Sequence, residues 1–104
     1  METWDIASLD VEPSSPLVLH SEDEGRAIAI NLPANERLQE HEVHERAWLF
    51  LVEGEIEIHD PSGGSIAGTP GLLAVFDPHE RREVRATTDA RLLLLLAPWP
   101  GKGR

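Results

Sequence analysis

The chain has 104 residues, 40% of them hydrophobic, an ordinary globular composition for one domain that buries roughly two thirds of its unfolded surface. Nineteen acidic residues against nine basic ones give a net charge of −10, with Lys102 the single lysine, a balance that repels nucleic acid and anionic membranes. Zero cysteines exclude disulfides, zinc fingers, Fe–S clusters and thiol nucleophiles, and zero tyrosines remove a common general acid.

Along the chain, short segments rich in Ile, Val, Leu and aromatics predict strands over 17–19, 26–32, 37–43, 47–53, 55–59, 72–76, 82–86 and 90–97. The breakers between them are Ser21-Glu22-Asp23-Glu24-Gly25, Pro33-Ala34-Asn35, Asp60-Pro61-Ser62-Gly63-Gly64, Pro70-Gly71 and Asp77-Pro78. This spacing is that of an all-β sandwich or barrel, and no long segment holds a helical period. The first dozen residues and 100–104 are expected to be loosely held. The N-terminus, Met1-Glu2-Thr3-Trp4-Asp5, lacks the start of a signal peptide. The longest apolar run, Leu92 to Ala97, is too short to span a bilayer, so a cytoplasmic location is expected.

Two strands do not alternate. Ala47 to Val52 and Leu92 to Leu96 are apolar on both faces, so both faces need cover. One face fills a barrel; the other needs a second layer or a partner subunit. Residues 1–60 carry 15 acidic and 3 basic side chains, whereas 61–104 carry 4 and 6, a division that reads mainly as a solvated acidic surface. Glu53, Glu55 and Glu57 alternate along one strand face, as on an exposed edge.

The stretch Leu38-Gln39-Glu40-His41-Glu42-Val43-His44-Glu45-Arg46-Ala47, running into Trp48-Leu49-Phe50-Leu51-Val52-Glu53-Gly54-Glu55, resembles the first motif of the cupin superfamily. The run Gly71-Leu72-Leu73-Ala74-Val75-Phe76-Asp77-Pro78-His79, continuing to Ala86, is similar to the second. The resemblance spans about residues 26–97 and implies a double-stranded β-helix, or jelly roll, with a small-molecule pocket at its mouth. Counting back from Gly54 sets the motif's Glu at Ala47, its second His at Val43, its first His at His41 and its leading Gly at Asn35. From Gly71, the second motif's Pro falls at Asp77, its Gly at His79, its His at Arg82 and its Asn at Ala86.

Of the family's usual metal ligands only His41 remains, because Val, Ala and Arg offer no lone pair to a cation. A rebuilt site from His41, His44 and His79 would suit Zn, Ni, Cu or Fe, but His41 and His44 share a strand face only if a bulge intervenes. Arg82 stands where the family points a ligand inward, and its guanidinium fork favours a carboxylate or phosphate. The plainer alternative pairs it with Glu40, Glu42 or Glu83. His20 and His59 read as surface residues at strand ends.

Three functions compete on this reading. The first is a small barrel that binds an anionic or carbonyl-bearing molecule through His41 and Arg82, without the usual metal chemistry and without a nucleotide cofactor. The second is a metal-dependent dioxygenase, isomerase or decarboxylase. The third is a dimeric interaction protein. A homodimer is expected in any case, because the parity of positions 41, 43 and 47 turns Leu49 and Leu51 inward and Trp48, Phe50 and Val52 outward. Cover by the N-terminal strand with Trp4 or Trp99 is the intramolecular alternative.

Overall fold

The computed structural model describes residues 1–38 and 45–97. Eight strands follow one another: β1 (Leu17–Glu22), β2 (Gly25–Leu32), β3 (Arg46–Glu53), β4 (Ile56–His59), β5 (Ser65–Gly68), β6 (Leu73–Phe76), β7 (Glu83–Ala86) and β8 (Ala90–Ala97). They form a five-stranded antiparallel sheet, ordered β1-β2-β8-β3-β6, and a three-stranded one, ordered β5-β4-β7. There is no helix among the described residues, hence none able to cross a membrane.

The expected strands agree with this order in seven places. Of the eighth, over 37–43, Arg37 makes an antiparallel bridge to Arg85 and the Leu38 amide donates to the Val84 carbonyl, while 39–43 lie outside the described residues. β5 was not expected: its Ser-Ile-Ala-Gly sequence has little strand propensity and takes its place by pairing with β4.

The core lies between the two sheets. Alternation sends Ile30 and Leu32 of β2, Leu49 and Leu51 of β3, and Ala90 and Leu92 of β8 inward, where they meet Ile56, Ile58, Val84 and Ala86 of the smaller sheet. No polar or charged side chain is buried among the described residues. Two of the motif glycine positions are occupied by other residues that adopt the glycine-like backbone: Asn35 at φ 71° and His79 at φ 66°. Asn and His tolerate this left-handed region better than most side chains, so the turns survive the replacements.

The N-terminal residues, read from the sequence as loosely held, make defined contacts with the outer face of the larger sheet. Val11 is buried, Pro13 bridges Asn31, and the Asn31 amide donates to the Val11 carbonyl at 3.2 Å. Arg91 donates to the Ile6 carbonyl at 2.7 Å, and Trp4 meets the His20 ring edge-on at 6.4 Å.

Candidate functional site

The chemistry of the described barrel end gathers where β4 and β7 finish their shared ladder. Ile58 opposes Val84, both buried, and one step further along their inward rows come Asp60 and Arg82. Arg82 is held from several sides. Its guanidinium forms ion pairs with Glu80 and, at 3.7 Å, with Asp60, and donates to the Arg81 carbonyl at 2.8 Å. Its side chain is 24% exposed, half-buried at the rim of an apolar interior.

The acids beside Arg82 are therefore not those expected from the sequence. Glu83 turns away to Arg37, at 3.3 Å, and Glu40 and Glu42 lie outside the described residues. The Asp77-to-Arg82 turn sets Glu80 instead, because the Glu80 carboxylate accepts from the Asp77 amide at 2.7 Å while the Glu80 amide donates to the Asp77 carbonyl. Asp60 is fixed by its own turn, accepting from the Ser62 amide at 2.9 Å. Hydrogen bonds from Ser62, with Arg82 nearby, hold the Asp60 carboxyl below its ordinary range. Formal charges of +1 on Arg82 and −1 each on Glu80 and Asp60 leave this group at −1.

The remaining expected residues divide. His79 is half-buried in the turn before Arg82, and Arg46 pairs with Asp77 at 2.5 Å. His41 and His44 lie outside the described residues, and so does the three-histidine set that depends on them. Among the described residues no three His, Cys, Asp or Glu side chains come together as metal ligands would. His59 pairs with Glu57 at 3.1 Å on the outer face of β4, and His20 pairs with Glu2 and Glu22 on β1.

A two-sheet antiparallel barrel of this kind is also the fold of solved cupin structures. An RmlC-like cupin from Desulfovibrio desulfuricans superposes with a TM-score of 0.83 at 19% identity, covering 94% of this chain and 97% of that one. A Klebsiella pneumoniae protein with a double-stranded β-helix domain gives 0.80 at 13% identity, covering 94% and 90%. A cupin superfamily protein from Desulfitobacterium hafniense gives 0.77 at 12% identity, covering 90% and 87%. The fold of this chain is the cupin fold. In sequence, it is 43% identical over 57 residues to the L-ectoine synthase of Thermobifida fusca, a match that spans 54% of this chain and 42% of that protein. No family model matches the chain.

Proposed function

We propose that the barrel mouth binds a small molecule through a carboxylate or carbonyl oxygen, with Arg82 as its anchor and His41 as a second polar contact. The observation that supports this is the half-buried guanidinium of Arg82 at the end of an otherwise apolar interior. Apolar walls exclude water from the guest, and the guanidinium of Arg82, set between Glu80 and Asp60, orients it. A charge-assisted hydrogen bond from Arg82 contributes about 1.5–3 kcal/mol. The guest's oxygen competes with Glu80 and Asp60 for that guanidinium, so these acids select against weakly accepting ligands.

Calorimetric titration with a panel of small mono- and dicarboxylates and their neutral carbonyl analogues tests the reading. Arg82→Ala is expected to weaken binding about tenfold or more, since about 1.4 kcal/mol is a factor of ten. Glu80→Gln is expected to strengthen it by removing a competitor. A panel in which nothing binds, or one whose affinities ignore Arg82→Ala, rejects the proposal.

A second reading, a metal-dependent enzyme using His41, His44 and His79, is favoured by the sequence match to a protein named as a synthase. Metal analysis of protein purified without a histidine tag decides it. About one equivalent of Zn, Ni, Cu or Fe, lost on His41→Ala, would establish this second reading over a metal-free mouth.

A further inference from the structure

The N-terminal segment crosses the outer face of β1, β2 and β8, where Ala29, on the outward row of β2, is 0% exposed. Three ties hold it there. At its far end Pro13 bridges Asn31, whose amide donates to the Val11 carbonyl. In its middle Arg91 donates to the Ile6 carbonyl. At its start two residues meet His20 of β1: the Glu2 carboxylate stands 3.1 Å from Nδ1, and the Trp4 ring lies edge-on to the imidazole. An amide and a guanidinium keep their protons at any ordinary pH, so of the three ties only the first-reached one titrates.

Each ring nitrogen of His20 faces a carboxylate, Glu2 at Nδ1 and Glu22 at Nε2, the latter at 2.8 Å. An ionised carboxylate only accepts. A neutral imidazole has one N–H to give and would set a lone pair against the second carboxylate; the imidazolium donates to both. The observed pair of contacts is therefore that of the protonated ring.

We propose that residues 1–5 form a strap which protonated His20 holds against β1 and neutral His20 releases. The neutral ring keeps its single N–H for Glu22, the shorter contact and a neighbour on its own strand, and turns a lone pair toward Glu2. Glu2 then leaves, Trp4 goes with it, and the Arg91 bond to Ile6 stops the release there. The charged groups around the ring come from every element beside it: Glu2 from the N-terminal segment, Glu22 from β1, and Glu24 and Arg26 from the β1–β2 turn and β2, which line one groove with His20. β8 contributes only Leu95, Leu96 and Ala97 to that groove. Three acids against one base favour the proton, and Glu22 first, then Glu2, hold the ring's pKa above its ordinary value. A raised value means that the strap is held below it and let go as pH rises through it. Release also alters the groove, because His20 changes there from a tied cation to a neutral ring without Trp4 at its edge.

Nuclear magnetic resonance of the full chain between about pH 5.5 and 8.5, a span that brackets the ordinary histidine value, reads the ring and the strap together. Cross-peaks between the Trp4 and His20 rings are expected to weaken, and the heteronuclear Overhauser effects of residues 3–5 to fall, with the midpoint of His20 itself. Those of Val11 are expected to stay constant. Glu2→Gln is expected to lower the held-to-released ratio of residues 1–5 about two- to fivefold at the acid end, the range of an exposed charge pair. His20→Gln, with one amide donor group and no charge to lose, is expected to leave residues 3–5 released at every pH. Far-UV circular dichroism confirms that both variants remain folded. Residues 3–5 that stay ordered through the His20 midpoint overturn the proposal. So does a loosening whose midpoint differs from that of His20, or a pH response that persists in His20→Gln, for then another group works the strap.

Discussion

A Cβ placed on Gly54 would collide with the Asp89 carbonyl oxygen and lie 2.7 Å from the Ala90 Cα, and the residue's φ is +86°. Both the space and the backbone thus require glycine in the β3–β4 connection. Gly54→Ala is expected to cost more than about 2 kcal/mol in urea denaturation, because neither backbone can yield without breaking the start of β8. Asn35 makes a milder demand at φ 71°. Asn35→Gly should stay within about 0.5 kcal/mol of wild type, while Asn35→Val, β-branched in the left-handed region, should cost about 1–2 kcal/mol. These positions were legible in the sequence as glycine sites of the two motifs, even where Asn and His replace the glycine. The acids that hold Arg82 were not. Glu80 reaches it through a turn whose hydrogen bonds run from Asp77, and Asp60 through the pairing of β4 with β7, neither of which a strand pattern encodes.

Acidic neighbours also set how His20 responds to pH. Hydrogen bonds and charge from Glu22, and then from Glu2, raise its pKa above the ordinary 6.5. A raised folded-state pKa means that the protonated ring favours the folded chain. That contribution is complete below about pH 6.5 and is lost as pH rises through the raised value. Nuclear magnetic resonance titration should find the His20 midpoint above that of His20 in urea, and Glu22→Gln should lower it. A midpoint at or below the denatured value would contradict the pairing.

At the scale of elements, the strands that face two environments hold the barrel together. Leu51 and Leu92 are opposed on β3 and β8, both 0% exposed, and either replaced by Ala should cost about 2–5 kcal/mol through the cavity left behind. The sequence already marked these strands, because an unbroken apolar run predicts two covered faces whichever residues do the covering. It did not show that the N-terminal segment would cover one end of the outer face. That contact depends on Arg91 and Asn31, polar residues in β8 and β2 whose outward direction only the register reveals. β5 was illegible for a related reason. Ser65–Gly68 becomes a strand because β4 offers it a partner, so its pairing outweighs its composition.

At the scale of the whole molecule, charge and apolar surface pull in opposite directions. Each copy carries −10, so two copies approaching through the outer face of β3, β6 and β8, where Phe50, Leu73, Val75 and Leu95 are exposed, repel one another over long range while gaining apolar burial at contact. The Debye length shrinks from about 30 Å at 0.01 M salt to about 8 Å at 0.15 M, which removes most of the repulsion and leaves the burial. Dimerisation through the β3–β6–β8 face should therefore tighten with added sodium chloride over that range. An interface held by ion pairs, such as one built on the charged outer face of β4 and β7, would loosen instead. Sedimentation velocity at both salt concentrations gives the sign directly. A dissociation constant that rises with salt would mean that charged groups, not Trp48, Phe50, Leu73, Val75 and Leu95, carry the contact.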